Sequence, residues 1–166
     1  MKNLKIFLMT PVLVGIYSCT SPEKKKAQVL SETLNTINDS LAHRGQAFAR
    51  FLSEAVRDKQ YDKIAPARLV YEEYIDSCGR FVKRLDDVAG SEQLKRSALA
   101  VLGFEKHMIH TDIALFDSLN ADTPPGRISG LFSIAQKDER SQAEYVQKFK
   151  EILAEYDQKN GISEAK

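Results

Sequence analysis

Glu105 stands inside an apolar stretch, between Leu102 and the pair Met108 and Ile109, where a carboxylate has to find a partner or give up its charge. Arg44 interrupts a second apolar stretch, with Leu41 and Phe48 at helical spacing around it. On two helices that run in the same direction, both residues lie equally far from their helix ends, so an ion pair across the core is expected. As a structural device such a pair fixes register against slippage by a heptad. As a functional one it forms the base of a small polar binding pocket, which Tyr145 joins and which Asp112, one heptad beyond Glu105, extends or edges.

Other chemistry-bearing residues read differently. His107 and His110 have the spacing of two metal ligands on one helical turn. At about 100° per residue both lie far from the apolar centre near Glu105, and His43 also points outward. Diiron bundles direct Glu-x-x-His pairs inward, whereas here Met108 follows Glu105 at that spacing. No metal and no cofactor is expected. The Glu72-Glu73 pair reads as a solvated face, and Cys78 as a small buried hydrophobe in a regular apolar register. The segment Gly126 to Gly130 reads Gly-Arg-Ile-Ser-Gly, with its serine one place late for a nucleophile elbow. His-Glu-x-x-His, Cys-x-x-Cys and the Walker A loop are missing as well, so a non-enzymatic protein is expected.

The elements that must position these residues are helices. Ala27, Leu30, Leu34, Ile37, Leu41, Arg44, Phe48, Phe51 and Ala55 step by threes and fours, and Ser21-Pro22 supplies an N-cap with proline at the first helical position. Ile64, Ala67, Tyr71, Tyr74, Cys78, Phe81, Leu85 and Val88 repeat the pattern up to Gly90. Ser91 caps a third helix with a wide apolar face that runs on to Leu119. Asn120 to Gly130, with two prolines and two glycines, reads as a loop, and a fourth helix runs from about Leu131 to Gln158. Sustained strand alternation is missing, and the first connections are short. The expected fold is all-α: an antiparallel up-down-up-down four-helix bundle with a long first helix. Pro22 to Arg57 would span about 54 Å against about 39 Å for Lys63 to Val88, so the first helix should overhang.

The start of the chain carries an address. Lys2 and Lys5 precede an apolar stretch, Ile6 to Tyr17, that is too short for a bilayer core, which takes about 20 residues. Its end, Ile16-Tyr17-Ser18-Cys19, resembles the lipobox of bacterial lipoprotein precursors. The resemblance implies cleavage before Cys19, diacylglycerol on its sulfur and a further acyl chain such as palmitate on its amine, a combination that anchors stably. The implied domains are a signal peptide over 1–18, a lipidated cysteine with a short tether over 19–26 and the bundle over 27–166. The implied location is the bacterial cell envelope, with the outer membrane favoured over the inner. Acylation of Cys19 would leave Cys78 alone and no internal disulfide. Loss of Lys2 and Lys5 turns a formal charge of +1 into about −1, which does not favour a nucleic-acid partner.

The segment Ser91-Glu92-Gln93-Leu94-Lys95-Arg96-Ser97-Ala98, running into Phe104-Glu105 and followed by a proline-rich loop and a last helix ending near Tyr156, resembles an uncharacterised family of surface lipoproteins from spirochaetes and Bacteroidota. The resemblance implies the fold and the location and carries no catalytic residues. With the first helix starting at the lipid, Lys24, Lys25 and Lys26 face the membrane, as do the Gly90 turn and the C-terminus. The turn near Gln60 and the Asn120–Gly130 loop face away. An expected protein or glycan partner therefore meets that long loop, with Asp122 and Arg127 as polar contacts and Ile128 either in contact or plugging the core. The alternative function is a small-ligand or metal binder that uses the interior around Arg44, Glu105 and Tyr145.

Overall fold

In the computed structural model, which describes residues 21–162, the first helix starts where Ser21 and Pro22 place it. The Ser21 hydroxyl accepts a hydrogen bond from the Lys24 backbone N–H at 3.1 Å, Pro22 occupies the first turn, and Glu23 meets the positive end of the helix. Helix α1 covers Pro22–Arg57 and stops on a left-handed residue, Lys59, at φ 57°. Backbone bonds from Gln60 to Ala55 and from Lys59 to Val56 close this end in the manner of a Schellman motif, with lysine where glycine is usual.

A 3-10 turn, Tyr61–Lys63, leads into α2 (Ile64–Arg84), and α3 follows over Glu92–Thr111. Ser91 does not cap α3. Its side chain is fully buried and accepts from the Val88 N–H at 3.0 Å, holding the α2–α3 turn, while Lys95 ties the same turn by donating to the Leu85 carbonyl and to Asp87. After Thr111 the chain tightens into a 3-10 segment, Ile113–Ser118. Its three-residue repeat directs Ile113, Phe116 and Leu119 into the core.

Helix α4 covers Pro125–Lys159, so the expected long loop shrinks to Leu119–Pro124. Pro125 starts the helix because its missing N–H costs nothing in a first turn. The glycines at 126 and 130 lie inside the helix, and a Cβ built on either meets no atom within 4 Å. The Asn120 side chain accepts from the Asp122 N–H and the Thr123 hydroxyl accepts from the Asn120 N–H, which makes the remaining connection a tight polar turn.

Helix α1 packs on α2 and α4, α2 on α3, and α3 on α4, an up-down-up-down four-helix bundle. Leu34, Ile64, Ile75, Val82, Leu94, Ile109, Phe116 and Phe149 fill its centre. The overhang of α1 past α2 is shared: α4, with 35 residues against 36 for α1, runs beside it until the Lys24 ammonium lies next to Gly161. Among the described residues no helix is long and apolar enough to cross a membrane. Cys19 lies outside the described residues, and Cys78 is buried.

Candidate functional site

The inward rows of α1 and α2 keep Phe48, Ala55, Ile64, Tyr71 and Cys78 as expected, while Arg44, Phe51, Ala67, Tyr74 and Phe81 give way to the next residue along. Beyond Leu41, α1 turns Gly45, Phe48, Leu52 and Ala55 inward, the first two half-buried and the last two buried, and α2 buries Ile64, Arg68, Tyr71, Ile75, Cys78 and Val82. An α-helix takes 3.6 residues per turn, so a row that steps three-four must take a second four where the phase slips. Arg44 is carried to the surface. Its guanidinium sits 4.2 Å above the centre of the Tyr74 ring, and it makes no ion pair with Glu105.

Glu105 is in the core as expected, at 1% exposure, with different partners. The Tyr71 hydroxyl of α2 donates to its Oε1 at 2.7 Å, and the Gln142 amide of α4 donates to its Oε2. Gly45 of α1 completes the layer, since a Cβ there would stand 3.0 Å from the Tyr71 oxygen and 3.6 Å from Oε1. The expected layer holds, therefore, and the residue that fills it on α1 is the one without a side chain. Burial pushes the Glu105 carboxyl above the usual carboxylate range, although the Tyr71 and Gln142 donors pull it down. Burial also pushes the Tyr71 hydroxyl far up, helped by the neighbouring Glu105 carboxylate, so tyrosine remains a donor. A protonated Glu105 could donate to Tyr71 in return, and the tyrosine proton would then reach the Leu41 carbonyl 3.3 Å away. Either protonation state is satisfied.

This layer forms the floor of a cleft of about 400 Å³ between α1 and α4, in the half of the bundle far from Pro22. The volume suits a small organic ligand. The cleft exists because small residues, Ala42, Gly45, Ala49 and Ser53, occupy the α1 wall where large side chains would close it. Nearer Pro22 the two helices meet through Leu34, Ile37 and Phe149, and only a water-sized void of about 10 Å³ remains. Phe48, Leu52, Met108, Ile109, Phe132 and Val146 give the cleft its apolar surface, and Gln46, Gln136 and Glu139 belong to its polar part.

The other expected site residues lie elsewhere. Tyr145 is 42% exposed and stacks on Phe104 with ring centres 4.8 Å apart, one helical step from the cleft that Gln142 and Val146 line. Asp112 is half-buried beside Asp138, and burial together with the Asp112 carboxylate holds the Asp138 carboxyl above its ordinary range. Asp122 is exposed in the short turn. Arg127, in the first turn of α4, donates to the Ser118 hydroxyl at 2.9 Å, and Ile128 packs half-buried against the core, which dissolves the expected contact loop.

Glu72 is not the solvated residue expected. It holds Arg68 at 3.0 Å and His110 at 2.9 Å, and Arg68, whose side chain is 11% exposed, also pairs with Asp117 at 2.7 Å. This is the bundle's inter-helix ion pair with the most buried arginine. His107 is exposed, and among the described residues no three His, Cys, Asp or Glu side chains converge as a metal site would need. Sequence reasoning missed Tyr71 and Gln142 as partners of Glu105. The spacing Gln142, Val146, Phe149, Leu153, Tyr156, in alternating steps of four and three, carried the signal for the glutamine. No known protein family, curated protein or solved structure matches the chain.

Proposed function

We propose that this chain is a lipid-anchored bacterial envelope protein that works as a non-enzymatic binding module, holding a small, largely apolar ligand in the cleft between α1 and α4. The observation that carries the ligand reading is the cleft itself: about 400 Å³ of mainly apolar surface over a floor that contains one buried carboxylate. Small residues on α1 keep that space open. The anchor rests on the lipobox-like Ile16-Tyr17-Ser18-Cys19. The distal-loop reading loses its support because Arg127 and Ile128 are built into α4.

The test uses the full chain in lipid nanodiscs with 4-phenylbutanol as a neutral probe. Binding should raise the melting temperature of the parent and leave Ala49→Trp, whose indole fills the cleft, unmoved. An equal rise in both proteins would place the probe elsewhere and end the reading. For the anchor, Cys19→Ala should lose lipid labelling and membrane fractionation in the producing cell; retention of both would remove it.

A further inference from the structure

Two features of the cleft wall bear on what it accepts. Among the described residues that line it, the charged ones are Glu105 and Glu139, both acidic, and no lysine or arginine faces it. The floor carboxylate has only neutral donors, a phenol and an amide, and the cation expected to neutralise it, Arg44, lies outside on Tyr74. Its two oxygens offer about four acceptor positions, of which Tyr71 and Gln142 take two. Phe48, Tyr71 and Phe132 put aromatic carbon on the same wall, with the Phe48 and Tyr71 rings stacked on each other at 5.6 Å between centres.

We infer that the cleft selects an organic cation: a small molecule with an apolar body and one primary or secondary ammonium group, which Glu105 receives at the floor. This rests on the ligand-binding reading of the cleft. The ammonium supplies the positive charge that the fold leaves out, and its N–H donors occupy acceptor positions still open on the carboxylate. A carboxylate-bearing ligand of the same shape meets two acidic groups and, among the lining residues, no cation. A neutral one gains the apolar contacts alone. Glu105 itself is 1% exposed, so at its oxygens these differences are larger than they would be at the surface.

Three probes of equal shape separate the possibilities: 4-phenylbutylamine, 4-phenylbutanol and 4-phenylbutyrate, titrated calorimetrically into the full chain in nanodiscs at neutral pH, with empty nanodiscs as the blank. The amine should bind at least tenfold more tightly than the alcohol, and the acid at least tenfold more weakly. This ranking needs no variant. In Glu105→Gln the amine and alcohol affinities should converge to within about twofold while alcohol binding persists. Amine and alcohol affinities already equal in the parent, or a preference that survives Glu105→Gln, would overturn the inference and leave the cleft reading standing. If none of the three binds, the cleft reading itself fails.

Discussion

The Tyr71 hydroxyl and the Glu105 carboxylate meet at 2.7 Å between α2 and α3, over the one position of α1 that has no side chain. Burial raises the Glu105 pKa, and that sets a direction for stability against pH. An unfolded chain ionises this carboxyl near its ordinary value of 4.5, the folded chain only at higher pH. Between the two values the native state holds the extra proton, so the contribution is fully present below the unfolded value and is lost as pH rises through the folded one. Glu105→Gln keeps the shape, is always neutral, and lets Gln142 turn its carbonyl toward the new amide. In thermal unfolding from about pH 4 to about pH 8 the variant should gain on the parent as pH rises. A gap that does not change with pH would show that the Glu105 carboxyl titrates as an exposed one does.

Gly45 and Tyr71 should be energetically coupled. Alanine is favoured over glycine inside a helix by about 0.5–1 kcal/mol, yet at position 45 the added Cβ would stand 3.0 Å from the tyrosine oxygen. Gly45→Ala should therefore lose stability in the parent, by pushing the hydroxyl off Glu105. In a Tyr71→Phe background the oxygen is gone, and the same substitution should stabilise by about 0.5–1 kcal/mol. Tyr71→Phe alone should cost about 1–3 kcal/mol, because Glu105 loses a donor. Denaturant unfolding of the four proteins measures the coupling. Additive effects would mean that Gly45 and Tyr71 do not touch.

These two residues also show where the sequence stopped being legible. Helix type, order and the start of α1 follow from local signals: the Ser21-Pro22 cap, the three-four spacing from Ala27 to Leu41, and the Gly90 turn. The layer of Glu105 followed from counting along parallel helices. The rotation of α1 did not, because a heptad rule chooses between steps of three and four by looking for an apolar side chain, and Gly45 offers none. Arg68 was hidden for the opposite reason. It is a charged residue on a buried row, and its stabilising partner Asp117 is 49 residues away in the 3-10 segment after α3. The start of α4 was obscured by Pro125 and Gly126, which punctuate loops and first helical turns alike.

The ion pair that matters for stability should be the one at Arg68. Its guanidinium is largely shielded and holds Asp117 and Glu72 at once, so Arg68→Ala should cost about 2–3 kcal/mol by leaving the partly buried Asp117 without its donor and Glu72 with His110 alone. Arg44→Ala should cost about 1 kcal/mol or less, the worth of an exposed cation over an aromatic ring. Urea unfolding ranks the two directly. A larger loss at Arg44 would restore it to the core and refute the rotation of α1 described above.

The last prediction concerns the start of α4. Were Asn120 to Gly130 a loop, its glycines would hold backbone shapes that other residues avoid, and replacing them would be neutral or costly. In the fold both are helical, neither has a positive φ, and both face open space. Glycine there only adds disorder to the unfolded chain, so alanine should stabilise. The gain at Gly130, more than a turn into α4, should be about 0.5–1 kcal/mol. At Gly126 it should be smaller, since a first-turn residue has fewer helical bonds to reinforce. Helix content by circular dichroism should not fall in either variant. Amide exchange gives the independent check: N–H groups from Gly130 onward should be protected as helical ones are, with Gly130→Ala slowing their exchange further. A loss of stability at Gly130, or fast exchange through Leu131 and Phe132, would return this segment to a loop and reopen Asn120 to Gly130 as a contact surface.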